Sequence, residues 1–201
     1  MARRLTRAFY ARDSLELAPL LLNKLFVSDE PEGPLSVRIV EVEAYRGSVD
    51  PGSHAYRGRT PRNASMFGPP GRLYVYFTYG MHWCANVVAL GGPGDASAVL
   101  LRAGEPVEGI DVMRARRPAA RRDRDLCSGP ARLAQAFGLT RDADGSSLVR
   151  GTLGIYDDGV APPRRPGRST RIGLAPGKGE TSRWRWFVSG NEHVSKARGA
   201  R

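Results

Sequence analysis

"LYVYFTYGMHWC", residues 73–84, sets three tyrosines and a phenylalanine between positions 74 and 79, followed by Tyr79-Gly80 and then His82-Trp83. The stretch alternates. Leu73, Val75 and Phe77 share one face, and Tyr74 and Tyr76 share the other, the period of two that marks a strand. Glycine supplies the positive φ that a tight turn can require, so Tyr79-Gly80 reads as a turn and residues 72–88 as two antiparallel strands around it. A purely structural strand favours Val, Ile and Leu, because each buried tyrosine hydroxyl needs a partner. The Tyr74/Tyr76 face is therefore either core with satisfied hydroxyls or the wall of an aromatic pocket. A tyrosine at a hairpin tip cannot pack into its own strand's core.

Working outward, "LSVRIVEVEAY" (35–45) also alternates: Val40, Val42 and Ala44 point one way, and Glu41, Glu43 and Tyr45 the other. "SAVLLRA" (97–103) reads as a further strand. Helices are expected at about 14–26, capped by Asp13 or Ser14, at 105–117, and at 128–139, with Pro130 in the first turn and Gly138 at the end. Residues 46–71, rich in Gly, Pro, Ser, Arg and Asn, read as a long ordered loop, a length that in compact domains is usually functional. Residues 117–125 form a basic loop, and 140–201 short strands and turns. Strands follow one another without regular βαβ alternation. The expected fold is α+β: one domain over 1–201, a mostly antiparallel, open-barrel-like β core, flanking helices and a protruding aromatic β-hairpin.

The 201 residues suit one domain, and no apolar run approaches the roughly 18–20 residues that span a bilayer. No apolar stretch with a small-residue cleavage site follows the basic N-terminus, so no signal peptide is read. An intracellular location is expected: cytoplasm or nucleoid, or the nucleus in a eukaryote. Cys84 and Cys127 are expected as buried free thiols. The net charge is +11, carried almost wholly by arginine, with lysine only at 24, 178 and 196. Such a charge favours a polyanionic partner through steering and counterion release.

Common catalytic signatures are missing: there is no G-x-S-x-G, P-loop, strand-borne G-x-G-x-x-G or H-E-x-x-H. His54, His82 and His193 lie too far apart for a local metal motif, and neither a metal nor a cofactor is expected. Carboxylates, tyrosines and arginines remain. A glutamate beside the Tyr45 ring is partly desolvated and becomes a better base. A ring protruding from a basic protein suits insertion into a base stack, where minor-groove proteins wedge apolar groups. Wedge, aromatic pocket, candidate base and positive surface together suit an enzyme that takes a base out of DNA. They also suit a non-catalytic protein that binds damaged DNA.

"IVEVEAYRG", "SHAYRGRTPRNASMFGPPGRLYVYFTYGMHWCANV", "AVLLRAGEPVEG" and "RDLCSGPARLAQAFG" closely resemble the alkyladenine (3-methyladenine, or methylpurine) DNA glycosylase family. The resemblance runs from about Phe9 to "RWRWFVSG". It implies excision of damaged purines (3-methyladenine and 7-methylguanine, with hypoxanthine and ethenoadenine as further candidates) from double-stranded DNA approached through the minor groove, by a monomer. It implies that Glu43 activates the attacking water and that Arg102 stands near that water and the flipped nucleotide's backbone. Tyr45, His54 and Tyr76 line the base pocket, Asn86 restricts which purines fit, and Tyr79 intercalates. Glu41, the first glutamate of the motif, is left on a wet strand face. Arg62, Arg72 and the arginines of 114–124 are candidate phosphate contacts. His82, Trp83 and the Glu192-His193 pair depart from the family pattern.

Overall fold

A computed structural model describes residues 2–31 and 33–196. Among these, nine strands join one sheet: β1 (Arg3–Arg4), β2 (Leu25–Glu30), β3 (Gly33–Tyr45), β4 (Leu73–Thr78), β5 (His82–Ala89), β6 (Ser97–Glu108), β7 (Leu153–Asp157), β8 (Gly167–Ser169) and β9 (Arg185–Phe187). The order is β1-β7-β2-β3-β6-β5-β4, every pairing is antiparallel, and β9 adds to β3 and carries β8. The path ends at β1 and β4, so the sheet stays open. Helices α1 (Arg7–Tyr10), α2 (Ser14–Leu21), α3 (Ile110–Arg116) and α4 (Pro130–Ala136) complete the α+β architecture.

One sheet face makes the main core. Ala85, Val87 and Ala89 of β5, Leu73 and Val75 of β4, and Val99 and Leu101 of β6 pack there with Leu17 and Leu21 of α2, Met113 of α3 and Leu133 of α4. The opposite face holds a smaller cluster, Ala55, Met66, Tyr74, Val88, Ala96 and Ala98, with Tyr45, Phe67 and Tyr76 against it. The 46–71 loop, expected as ordered, lies over this second face as turns and two short 3-10 segments.

β3 changes phase partway along. Val37 and Ile39 belong to the main core, and so do Val42 and Ala44, which have the other parity; Val40 does not join them. Register irregularities between Ile39, Glu41 and Val42 against β6 mark the extra residue. A bulge of one residue flips every later side chain to the other face. The alternation read from Val40 to Tyr45 therefore holds only from Glu41 onward, and it places Glu41, Glu43 and Tyr45 away from the main core.

Two expected helices are shorter than their patterns. α2 begins where Asp13 accepts the Leu15 N–H at 2.8 Å, but it ends at Leu21, and Leu25–Glu30 pairs with β3 and β7 instead. β6 continues to Glu108 along β3, and only after Gly109, at φ +70°, does α3 form. In both places a short apolar run suits either helix or strand, and the available sheet edge decides. α4 matches its expectation, with Pro130 at the first turn and Gly138 at φ +61° after it. Cys84 and Cys127 are buried free thiols, as expected.

Gly71 leads into β4 at φ +81°, and a Cβ added there would stand 2.6 Å from the buried Tyr10 ring. Positive φ and overpacking together predict that Gly71→Ala costs about 2–4 kcal/mol, read as a lowered urea midpoint at unchanged slope.

Candidate active site

The side chains singled out in the sequence converge on the second sheet face. Strand register sets Glu43 opposite Leu100, Leu100 opposite Asn86, and Asn86 opposite Tyr74, one row across β3, β6, β5 and β4. Period two then puts Tyr45, Arg102, Cys84 and Tyr76 on the same face, each beside its row-mate. A cavity of about 240 Å³ opens there, walled by Tyr45, Tyr76, His54, Asn86, Arg102 and the 172–174 segment. Tyr79 stands at its rim.

Glu43 is fully buried just behind this wall, touching three of its members. Its Oε1 accepts the Ile172 backbone N–H at 2.8 Å and lies 3.2 Å from Arg102 Nη1. Its Oε2 accepts the Tyr45 hydroxyl at 2.9 Å. A carboxylate offers about four lone-pair positions, so Oε2 keeps one to give. Burial, followed by the negative charge of Glu43, holds the Tyr45 phenol far above its usual range, so it donates and never competes as a base.

Glu41 is not on a wet face. It is fully buried, and its Oε1 accepts from Arg102 Nε at 2.7 Å, Arg185 Nε at 2.7 Å and Ser195 Oγ at 2.8 Å. Its Oε2 accepts the Ser195 N–H at 2.6 Å. The wet reading treated β3 as an isolated strand; β9 and the 195–196 segment close over that face. Burial alone would raise the Glu41 pKa, but the charges of Arg102 and Arg185 outweigh it and hold the carboxyl below its usual value, ionised at neutral pH. The Arg102 guanidinium is likewise held protonated: burial opposes its charge, but Glu43 and Glu41 more than compensate.

The strap at 171–174 owes its place to a buried ion pair that no sequence signal announced. Arg171 grips Asp50 with two parallel bonds, Nη1 to Oδ2 at 2.6 Å and Nη2 to Oδ1 at 2.7 Å, and both side chains are fully buried. The guanidinium also bonds the Ala44 carbonyl at 3.1 Å and lies 4.6 Å over the Tyr45 ring and 5.0 Å over Trp184. One lone Asp and one lone Arg 121 residues apart carry no pattern, and Ile172 contributes only backbone, so sequence reasoning missed the strap, Arg185 and Ser195.

The aromatic wall is ordered from behind. Tyr74 and Tyr76 are stacked at 5.5 Å, and the His54 ring meets Tyr76 edge-on at 4.4 Å. His54 Nδ1 and the Tyr74 hydroxyl share a hydrogen bond of 2.9 Å, and Asn86 donates to the Tyr74 carbonyl at 3.2 Å. Burial, then Arg62, lowers the His54 pKa, which leaves a neutral imidazole. Both alternatives for the tyrosine face hold together: Tyr74 is buried with a satisfied hydroxyl and still borders the cavity, and Tyr76 lines it beside Tyr74.

At the hairpin tip Tyr79 has φ +52° and Gly80 φ +65°, and the Met81 N–H bonds the Thr78 carbonyl at 3.2 Å. A tyrosine in the left-handed region costs about 1–2 kcal/mol, and this one remains 80% exposed, with Met81 at 69% beside it. Arg62 is exposed and donates to the Phe77 carbonyl at 2.9 Å, tying the loop to the hairpin. Arg72 donates to the Gly145 carbonyl and pairs with Ser147, away from the cavity wall. Trp83 packs on Phe77 at 4.9 Å, His82 is exposed, and Glu192 pairs with Arg124 at 3.4 Å.

A second hollow of about 680 Å³ continues from the cavity past Arg102, Pro130 and Ile172. Its walls carry Arg117, Arg122, Arg124, Arg132, Lys196 and His82. Burial, then the charge of Arg132, lowers the Arg117 pKa. Among the described residues no group of three or more His, Cys, Asp or Glu side chains is placed to hold a metal, and no helix is long and apolar enough to cross a membrane.

Comparison with known proteins gives a coherent result. The family model described as methylpurine-DNA glycosylase matches residues 8–192. A protein of Burkholderia cenocepacia named "Putative 3-methyladenine DNA glycosylase" is 53% identical over 193 residues, 95% of this chain and 90% of its own length. Proteins of the same name from Streptomyces avermitilis and Chlorobaculum parvum are 49% and 48% identical, covering 96% and 98% of this chain and 92% of their own lengths.

Removing one partner of a buried ion pair leaves an uncompensated charge. Asp50→Ala should therefore cost about 3–5 kcal/mol, measured by thermal or denaturant unfolding.

Proposed function

Because the chain belongs to the methylpurine-DNA glycosylase family, whose members hydrolyse N-glycosyl bonds in DNA, we propose that it excises alkylated purines by swinging the nucleotide out of the duplex into the cavity beside Glu43. The observation that carries this reading is a fully buried carboxylate, fixed by Tyr45, Arg102 and the Ile172 N–H, behind an aromatic cavity with an exposed tyrosine at its rim. The cavity is smaller than the roughly 300–1,000 Å³ of drug-binding pockets and suits one base.

In this reading a water on the remaining lone pair of Glu43 Oε2 loses its proton to the carboxylate as it attacks the sugar C1′. The glycosidic bond breaks with positive charge growing on the sugar and negative charge on the base, so the anionic Glu43 favours the first and Arg102 stands close to the water and the backbone of the flipped nucleotide. Among the described residues no lysine lines the cavity, so no Schiff base forms and the product is an unbroken strand with an abasic site.

Selection follows from the walls. A positively charged methylated purine stacks on tyrosine with about 0.5–2 kcal/mol of cation–π attraction. Tyr45 already carries the Arg171 guanidinium over its ring, so Tyr76 contributes most of this term. Bases such as 3-methyladenine and 7-methylguanine are also good leaving groups. Neutral hypoxanthine or ethenoadenine depend on the neutral His54 and on fit beside Asn86, whose position disfavours a purine with an added amine. Damaged bases also cost less to unpair.

Tyr79 fills the gap in the stack, entering from the minor groove of double-stranded DNA. The Arg117–Arg132 hollow, Arg62 and, with less of its guanidinium free, Arg72 follow the phosphates. The protein acts as a monomeric domain on the DNA of the cytoplasm or nucleoid.

Glu43→Gln should slow release of a methylated purine from a single-lesion duplex by about 10²–10⁴-fold, read by alkali cleavage of abasic sites. Equal, slow release by both proteins would overturn the enzyme reading in favour of a damage-binding protein. Tyr79→Gly removes the wedge and the strained φ together. Its stability should hold or rise by up to about 1 kcal/mol while base release falls, and a large drop in melting temperature would mark Tyr79 as core.

A further inference from the structure

Glu41 is held by four hydrogen bonds, yet it forms no part of the cavity wall and the proposed reaction gives it no task. What it touches is informative. Arg102 presents its Nε edge to Glu41 Oε1 at 2.7 Å, which leaves Nη1 for Glu43 at 3.2 Å and Nη2 for Ser195 Oγ at 3.3 Å. Arginine and carboxylate prefer the parallel two-pronged pair. Arg171 and Asp50 adopt it a short way off, whereas Arg102 and Glu43 do not.

We propose that Glu41 is a positioning residue for base excision: by holding Arg102 Nε directly and Nη2 through the Ser195 hydroxyl it leaves that guanidinium one contact with Glu43, through Nη1, and so keeps Glu43 available as a base. This rests on the reading of Glu43 as the water-activating group. Glu41 also balances charge. Two carboxylates, Glu41 and Glu43, face two arginines, Arg102 and Arg185, and all four side chains are buried. Remove the Glu41 charge and two cations face one carboxylate. Arg185 keeps Ser169 Oγ at 2.8 Å and the Ser195 carbonyl at 3.2 Å. Arg102 keeps only the Ser195 hydroxyl besides Glu43, so its freed edge turns to Glu43. A two-pronged pair would tie up both Glu43 oxygens and displace the water that Oε2 is to hold.

The competing explanation is that Glu41 only fastens β9 and the Ser195 segment to β3. A cycle with Arg102 separates the two. Glu41→Gln keeps the shape and removes the charge. In single-turnover reactions with enzyme in excess over a duplex carrying one methylated purine, Glu41→Gln should slow release by about 10–100-fold. Affinity for a duplex with an uncleavable abasic-site analogue should stay within about threefold of wild type. In an Arg102→Met background the same substitution should change the rate by less than about threefold. An equal loss in both backgrounds, or none in either, overturns the proposal.

Should Glu41→Gln fail to fold, Ser195→Ala carries the test, because Ser195 Oγ bridges Glu41 and Arg102. It should slow release by about 3–10-fold at unchanged DNA affinity, and the loss should vanish in the Arg102→Met background; its persistence there overturns the proposal. Wild type and Glu43→Gln run alongside. No release by wild type would defeat the glycosylase reading itself. Release by wild type and by Glu41→Gln at one rate, with Glu43→Gln inactive, would defeat only the role of Glu41.

Discussion

Two buried carboxylates sit in one strand of an open sheet, and the architecture around them follows from the need to pair them. An unpaired buried carboxylate takes up a proton or unfolds its surroundings. Glu41 and Glu43 are not left unpaired: Arg102 arrives from β6, Arg185 from β9 and backbone N–H groups from Ile172 and Ser195. Apart from Trp186 of β9, the small strand β9 and the segments at 171–174 and 195–196 add little to the main core. Their value lies in the donors they bring. The chain after β7 is thus a set of brackets around one charged row.

The bulge in β3 is what makes that row possible. Without it, Glu41 and Glu43 would share the parity of Val37 and Ile39 and point into the main core, beneath the helices. With it, a single strand contributes Val37 and Ile39 to one end of the core, Val42 and Ala44 to the other, and Glu41, Glu43 and Tyr45 to the opposite face. β4, β5 and the Ala98–Arg102 part of β6 keep a regular alternation, so their aromatic, amide and guanidinium groups meet the β3 residues across the row. The helices on the far face hold the sheet rigid, and a rigid sheet fixes distances between side chains that reaction geometry depends on.

The hairpin departs from this packed frame. β4 and β5 run past the second cluster and end in a turn that stores strain at Tyr79 and exposes Tyr79 and Met81. Strain of this kind persists where a conformation serves a purpose other than stability. The same hairpin roots Tyr74, Tyr76 and Asn86 in the cavity wall, so the exposed tip and the cavity are two ends of one element. The Arg117–Arg132 hollow meets the cavity at Arg102, which joins the positive surface to the buried charge row.

The sequence by itself determined the antiparallel α+β class, the aromatic hairpin and its tip, the capped start of α2 and the proline-marked start of α4, and, through the long family stretches, the glycosylase reading and the residues grouped around Glu43. These features are local: period two, turn residues and caps act over a few positions, and the motif blocks are contiguous. Only the tertiary structure decided where α2 and β6 end, since a neighbouring strand edge outcompetes helix propensity. Only it decided the phase of β3, because a bulge is defined by the partner strand. And only it turned Glu41 from a surface residue into a buried hub and paired Asp50 with Arg171, since a charge's environment is set by segments distant in sequence that bring no periodicity of their own.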